Sequence, residues 1–476
     1  MISLYYGRAK RPIFVYKRGD LYMASITKDF TKGSIPRQLL WFTLPFMASN
    51  ALQVLYSTID MIIVGNYVGT AGLSAVSQSS MIVNFATMVC LGFSNAGQVL
   101  IAQAMGAGKK KELNDIIGTL FTLILLIGIL FSVVFLAMHT SIMQWINIPS
   151  ESHAMAIDYL VICAWGLVFT AGYNVVSAIL RGMGDSKRPF LFIGIATVVN
   201  LVLDILFTGM LGWGVAGAAY ATIIGQAVSF IFSLFYLYRS REAFGFDFRK
   251  ESFRLNKKYC KMMFSLGTPM AIQAGCINLS MLYVNSLVNS VSVVASAAFG
   301  VGTRIDDIFN KISQGLQFAA LPMISQNLGA KDNHRAKRVV WWTLLYSGLF
   351  ACFTIAVYFL FGKELFMMFS DDTAVHNMAD TFISAIVWIF PALAIMRATN
   401  AFIQGIGNAT LGMVLSLLDG VILRIGLSWL FGIGIGWGFY GFVLGYGVAA
   451  YGCAIPGFIY FISGIWKKRK SLADSI

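Results

Sequence analysis

Twelve long apolar stretches follow one another through this chain of 476 residues, and they constrain its fold more than any other feature. Each is about long enough to cross a bilayer as a helix, which takes roughly 20 residues. Their continuous hydrophobicity lacks the alternation of barrel strands and therefore indicates helices. The stretches lie at about 41–64, 73–103, 116–138, 154–180, 189–211, 215–238, 262–289, 293–328, 338–361, 376–403, 411–431 and 438–463. With 58% hydrophobic and 12% charged residues, the sequence predicts an all-α polytopic membrane protein.

The second half of the chain repeats the first at an offset of about 224 residues, and such internal repeats decide architecture. The matching positions are Pro45 and Pro269, Gly106 and Gly329, Gly182 and Gly405, and Gly217 and Gly441. Six helices in each half is an even number, so both halves begin on the same side of the membrane. We therefore predict two homologous six-helix lobes around a central cavity, the usual place for alternating access.

These observations divide the chain into five parts. The predicted parts are an N-terminal arm (1–36), a first lobe (37–238), a basic linker (239–261), a second lobe (262–463) and a basic tail (464–476). Met23 opens a plausible lead-in to the first span, and we expect it to be an alternative or true start, which intact-mass measurement of the native protein would test.

The formal net charge of +14 is distributed unevenly along the chain. Most of the 35 Lys and Arg residues precede the first stretch or follow an even number of stretches. By the positive-inside rule, this asymmetry places both termini in the cytoplasm. Because this asymmetry explains the positive net charge, the charge does not indicate a nucleic-acid partner.

The first apolar stretch contains an acid, and its polar residues share one helical face. Gln53, Tyr56 and Asp60 recur at intervals of three and four residues. An isolated carboxylate is costly in lipid, so Asp60 should face the protein interior or a water-filled cavity. Pro45 removes one backbone hydrogen bond and lets this helix bend, which makes it a candidate hinge. The alternative is a structural aspartate that is hydrogen-bonded inside a packed bundle.

Three further stretches of the first half add polar groups. Asn200 and Asp204 are four residues apart and hence on one face, and Thr222 follows in the sixth stretch. Asn174 lies in the fourth stretch and is a candidate for the substrate cavity. Two carboxylates with an amide and a hydroxyl nearby suit protons or a small hard cation such as Na⁺. The competing interpretation is that each group pairs with a neighbour purely for packing.

The second half does not copy this pattern, because Val284 stands where the first half has Asp60. Its stretches carry other charges, namely Arg304, Asp306, Asp307, Lys311, Arg397, Asp419 and Arg424. Internal ion pairing and contact with substrate are equally open for these residues. Arg304 and Asp306 are our candidates for the substrate cavity in this half, and only the first half indicates ion coupling.

No motif indicates an enzyme or a cofactor. The six cysteines lack metal-type spacing, and the four histidines fall at the ends of the stretches or between them. The Gly-rich segments 181–189 and 404–410 lack the P-loop pattern. A membrane-embedded enzyme is therefore a poor alternative, and we expect no cofactor and no resident metal.

Several motifs together resemble the bacterial MATE (multidrug and toxic compound extrusion) family over nearly the whole chain. They are TKGSIPRQLLWFTLP, YSTIDMIIVG with Asp60, AQAMGAGKKKE, AILRGMGDSKRP, NLVLDILF with Asn200 and Asp204, and GVAGAAYAT before Thr222. The resemblance implies a monomeric transporter in the bacterial inner membrane, surrounded by lipid, that exports organic cations in exchange for protons or sodium.

The resemblance also implies roles for particular residues. It assigns the cation site to Asp60, Asn200, Asp204 and Thr222, with Gln53 and Tyr56 lining the cavity. The seventh stretch has no acid, and the tenth has Arg397, so the chain departs from the NorM branch and fits the DinF-like or general bacterial branches better. The main alternative is a flippase for a lipid-linked precursor, in which the second-half cations would bind pyrophosphate.

Overall fold

The computed structural model describes residues 28–146, 148–370 and 372–476, with the side chains of 274 and 276–279 left aside. Met23 lies outside these residues. Twelve long helical segments run through the described ranges. They are α1 (Ile35–Val68), α2 (Thr70–Gly106), α3 (Lys110–Trp145), α4 (Ser150–Gly182), α5 (Lys187–Met210), α6 (Gly214–Arg239), α7 (Lys257–Asn289), α8 (Val293–Gly329), α9 (Asn333–Met367), α10 (Thr373–Ile386 and Ile389–Gly405), α11 (Ala409–Gly434) and α12 (Gly438–Ser463).

Length and composition single out nine of the described helices as able to cross a membrane, and ten when the two parts of α10 count as one span. The two parts of α10 meet at an angle of 47°. The other two segments, α7 and α8, have 33 and 37 residues and are less apolar. The predicted all-helical membrane fold is confirmed, while four spans, α1, α3, α7 and α9, start five or six residues earlier than their apolar stretches indicated.

Each half of the chain forms its own bundle. In the first lobe, α4 packs against α2, α3 and α6, and α1 packs against α5. In the second lobe, α10 packs against α8, α9 and α12, and α7 packs against α11. Helices that correspond in the sequence repeat therefore make corresponding contacts within each lobe.

The main contacts between the lobes involve two helices from each. Helix α1 packs on α8, α7 packs on α2, and α2 packs on α8. Because α1 corresponds to α7 and α2 to α8, the first two contacts are equivalent and the third lies on the pseudo-two-fold axis.

Short elements cover one end of both lobes. Residues 240–256 join α6 to α7 and pack on α3, where Thr122 Oγ1 donates to the carbonyl of Phe253 at 2.7 Å. Beyond α12 come a 3₁₀ turn, Ile465–Lys468, and a last helical turn, Leu472–Ser475. Most of the Lys and Arg lie at this end, which we call the basic face.

Candidate functional site

Three helices of the first lobe bring together the polar residues that the sequence singled out. Helix α1 supplies Tyr56 and Asp60, α5 supplies Asn200 and Asp204, and α6 supplies Thr222. Asp60, Asn200 and Asp204 are buried, at 8%, 3% and 1% exposure, while Tyr56 and Thr222 are half-buried. We call these five residues the acid cluster.

Thr222 is the link between the three helices. Its Oγ1 shares a hydrogen bond with the Tyr56 hydroxyl at 3.2 Å and accepts one from Asn200 Nδ2 at 3.5 Å. The hydroxyl of α6 is therefore held from both sides, by α1 and by α5. This arrangement fixes the positions of groups that surround the two acids.

The two carboxyl groups face each other, and three of their four oxygens lack a donor among the described residues. Asp60 and Asp204 lie within interaction range of one another. Among the described residues, no donor reaches Asp60 Oδ1 or either oxygen of Asp204, and all three atoms are buried. Ionised carboxylates can only accept hydrogen bonds, and two of them in an apolar interior repel. A shared proton or a small cation would satisfy both groups.

The backbone of α5 changes at the acid cluster. Its α-helical part ends at Asp204, and a π-helical turn, Ile205–Met210, follows. The second half repeats this turn in α11 at Leu430–Gly434, but there Ser428 takes the position of Asp204. Single π-helical turns are rare in proteins overall, but those that occur are often found at functional sites. The fold keeps the turn in both lobes, and the acid is present only in the first.

Helix α4 contributes two residues that the sequence did not point to. Tyr159 and Cys163 lie within electrostatic range of Asp60. Ser80 Oγ donates to the Tyr159 hydroxyl at 3.3 Å, which connects α2 to the same region. Tyrosine and cysteine are common in apolar helices, so nothing in the sequence could have indicated these two positions.

The predicted cavity residues lie in different places. Gln53 is exposed on α1, one turn before Tyr56. Asn174 is buried in α4, and no hydrogen bond among the described residues joins it to the acid cluster. Arg304 is exposed on α8 and reaches Met61 Sδ of α1 at 3.8 Å, so it stands at the contact between the lobes. Their roles as cavity residues stay predictions.

Asp306 lies inside the second lobe. It is 3% exposed, and Arg397 and Arg424 are within electrostatic range of it. Arg424 pairs with Asp419 at 3.2 Å, and both side chains are buried. Arg424 and Asp419 thus neutralise one another, whereas Asp306 Oδ1 is buried without a hydrogen-bond partner among the described residues.

Arg397 also has partners of its own. It donates to Ser313 Oγ at 3.1 Å and to the side-chain and backbone oxygens of Asn310. A small cavity beside it is lined by apolar side chains of α8, α9 and α10 together with Ser313 and Ser347.

Pro45 lies inside α1, between its start and the acid cluster. Proline has no N–H to offer the preceding turn. Ser49 Oγ donates to the Pro45 carbonyl at 2.8 Å, a back-bond of the kind that bends helices. The sequence of α1 therefore weakens its own backbone ladder about four turns before Asp60.

Two six-helix lobes, with two buried acids brought together in the first of them, define a multi-pass membrane transporter and not an enzyme. The MatE family model matches the chain twice, at residues 45–206 and 269–430. The chain therefore belongs to the MatE family. The two matched segments are related by the repeat that the sequence itself showed.

Individual proteins agree with this assignment. The probable multidrug resistance protein YpnP of Bacillus subtilis (strain 168) is 29% identical over 448 residues, which cover 94% of this chain and 99% of YpnP. The probable multidrug resistance protein NorM of Thermotoga maritima is 24% identical, with 92% and 94% covered. A solved structure of a multidrug resistance MATE transporter in an outward-facing conformation superposes with a TM-score of 0.87 at 22% identity, covering 93% and 98%.

Proposed function

We propose that the protein exports cationic, amphipathic compounds in exchange for protons or sodium ions, by alternating access. The observation that carries the proposal is the buried pair Asp60 and Asp204, three of whose four carboxyl oxygens are buried without a hydrogen-bond donor among the described residues. A packed bundle does not need two unsatisfied acids, because each is costly in lipid. The names of the relatives support a drug as the exported compound.

The mechanism follows from competition for the same negative charge. When both acids are ionised, the first lobe attracts an organic cation. When a proton or sodium ion arrives, it neutralises the carboxylates, and the attraction is lost. Because the ion and the drug favour different states, each shifts the equilibrium by its differential affinity for those states.

Helix α1 is the element that would transmit this change. One of its sides carries Asp60, and the other contacts the second lobe, where Asn50 Nδ2 donates to the Lys311 carbonyl at 2.6 Å. A bend at Pro45 would move both contacts together. The substrate path would then lie between α1 and α8, next to Gln53 and Arg304.

We further propose that the basic face is cytoplasmic and that the protein acts as a monomer in the bacterial inner membrane. The distribution of Lys and Arg supports this orientation. Both termini would then be cytoplasmic, and export would run from the basic face to the opposite side.

The test is efflux of a fluorescent organic cation from proteoliposomes under a pH gradient or a sodium gradient, imposed separately. Wild type should respond to one gradient, and Asp60→Asn should abolish this response while it folds and inserts normally. Asp158→Asn, the same change at an exposed acid of α4, serves as the control and should retain efflux. Undiminished, gradient-driven efflux by a well-folded Asp60→Asn protein would contradict the proposal.

A flippase for a lipid-linked precursor stays the second candidate, since Arg304 is exposed at the contact between the lobes. Arg397 and Arg424 favour it less, because the second lobe engages both with its own groups. Activity stimulated by an anionic lipid-linked substrate, and not by organic cations, would favour the flippase.

A further inference from the structure

At the basic face, α2 of the first lobe and α8 of the second cross with their backbones in contact. A Cβ atom on Gly106 would stand 1.8 Å from the Gln326 carbonyl oxygen. A Cβ atom on Gly329 would stand 2.2 Å from the Gln103 carbonyl oxygen. These four residues are two repeat-equivalent pairs, so the crossing is pseudo-symmetric. Only glycine allows so close an approach.

The same two glutamines join the lobes through their side chains. Gln103 Nε2 donates to the carbonyl of Gly405 in the second lobe at 2.8 Å. Gln326 Nε2 donates to the carbonyl of Gly182 in the first lobe at 3.2 Å. Gly182 and Gly405 are also equivalent in the repeat, so each lobe offers the other an identical bond. Both glutamines are buried, at 1% and 2% exposure.

The remaining oxygen of each glutamine accepts from a different end of the chain. Gln326 Oε1 accepts from the backbone N–H of Phe30 at 3.0 Å. Gln103 Oε1 accepts from the N–H of Ala473 at 3.0 Å and from Ser471 Oγ at 3.2 Å. We call residues 28–34 the N-arm and residues 464–476 the C-arm. The two arms occupy corresponding positions, although they share no repeat in sequence.

The C-arm holds both lobes at once. Lys109 Nζ, at the start of α3 in the first lobe, donates to the Ala473 carbonyl at 2.8 Å. Lys331, between α8 and α9 in the second lobe, pairs with Asp474 at 3.0 Å. Lys331 and its hydrogen bond hold the pKa of Asp474 below its ordinary value, so this pair is intact at neutral pH.

The N-arm does the same on the other side of the axis. The N–H of Lys28 donates to the Met183 carbonyl of the first lobe at 3.1 Å. Two residues of the second lobe donate to the Phe30 carbonyl, namely Arg335 Nε at 2.9 Å and Asn327 Nδ2 at 3.2 Å. Each arm is therefore a strap across the line along which the lobes would part.

We infer that Gln103 and Gln326 are the positioning residues of a gate at the basic face, and that the two terminal arms hold this gate closed. The inference rests on the proposed alternating access, because only a transporter that opens toward the basic face must separate these groups. Opening requires the cross-lobe hydrogen bonds of both glutamine side chains to break. It also requires each arm to detach from one of the two lobes. The chain ends are thus part of the transport cycle.

The size of the effect follows from ordinary hydrogen-bond energies. Loss of one such hydrogen bond shifts the equilibrium between the closed and the open gate by roughly fivefold. Loss of the cross-lobe hydrogen bonds of both glutamines therefore shifts it by about 25-fold. Removal of the C-arm alone also releases Lys109 and Lys331, and we expect a shift of at least about fivefold.

The experiment measures access to the gate and needs neither substrate nor gradient. In a protein whose own cysteines are replaced, Ser325→Cys places a reporter at a fully buried position of α8, next to Gly405. The rate of maleimide labelling in nanodiscs should rise about 25-fold when Gln103→Ala and Gln326→Ala are combined. It should rise about fivefold when residues 469–476 are removed.

Gln98→Ala is the matched control, because Gln98 is a fully buried glutamine on the same helix whose Oε1 accepts from Arg181 Nε within the first lobe. It should leave labelling at the wild-type rate. An unchanged rate in the folded double variant would overturn the gate, and so would an equal rise in the Gln98→Ala protein. If the double variant does not fold, the variant that lacks 469–476 decides in the same way.

The result separates this inference from the proposed function. Labelling that responds as expected, in a protein without gradient-driven efflux, would keep the gate and reject antiport. Efflux that depends on Asp60, together with labelling that ignores both glutamines and the C-arm, would keep antiport and reject the gate.

Discussion

Thr222 carries the polar contacts that join three helices at the acid cluster, and its hydroxyl can be removed with little change of shape. In Thr222→Val, both Tyr56 and Asn200 lose their partner. Each lost bond costs about 1 kcal/mol, so we expect the loss of both to raise the ion concentration for half-maximal transport by about 25-fold. The KM for the drug at saturating ion should change little. Efflux measured over a series of ion concentrations checks both values.

The control for this variant is Thr197→Val on α5, whose hydroxyl donates to the Ile193 carbonyl of its own helix at 2.9 Å. It removes a hydroxyl from the same lobe without touching the acid cluster, so the ion dependence should not move. An equal change in both variants would show that Thr222 acts through general packing and not through ion binding.

At the level of residues, the sequence was most informative where a side chain is out of place in lipid. Asp60, Asn200 and Asp204 could be singled out because acids and amides are costly there. The structure brings them together with Thr222. Tyr159 and Cys163 could not be singled out, because their side chains are compatible with lipid, core or site.

Helix α1 is the element for which sequence and structure lead to the sharpest prediction. Pro45→Ala restores a backbone donor and removes a clash, and interior proline costs a helix about 3 kcal/mol. The variant should be at least as stable as wild type. If α1 must bend for transport, efflux should fall by tenfold or more, measured in proteoliposomes beside a thermal unfolding curve.

Pro456→Ala provides the matched comparison, because Pro456 lies inside α12 of the second lobe, away from the acid cluster. We expect this variant to transport at the wild-type rate. Wild-type efflux by Pro45→Ala would remove the hinge from the mechanism, and an equal loss in both would assign the effect to proline in general.

Element boundaries show what a hydropathy pattern contains and what it lacks. It predicted the existence of α10 but not its bend of 47°, since the residues between its two parts, Val387 and Trp388, are as apolar as their neighbours. The charge pattern indicated a basic tail at 464–476 but nothing about its contacts. The structure docks this tail on Gln103, through backbone groups that have no signature in the sequence.

At the scale of the whole molecule, the repeat determined the two-lobe architecture before any coordinates. The prediction is confirmed by two matches to one family model at corresponding positions. The helix faces through which the two lobes contact each other could not be predicted from the sequence. The crossing at Gly106 and Gly329 depends on a close approach across two distant parts of the chain, and a glycine in an apolar helix indicates no particular partner.

The orientation of the whole molecule in the membrane follows from the distribution of its charges, and it can be tested without a transport assay. We expect green fluorescent protein fused after Ile476 to fluoresce, because the basic face should stay in the cytoplasm. Alkaline phosphatase fused after Ser370, beyond an odd number of spans, should be active because it reaches the outside. The reciprocal fusions are the controls, and each should be silent. A fluorescent fusion after Ser370 with an active phosphatase after Ile476 would reverse the orientation, and export would then run toward the basic face.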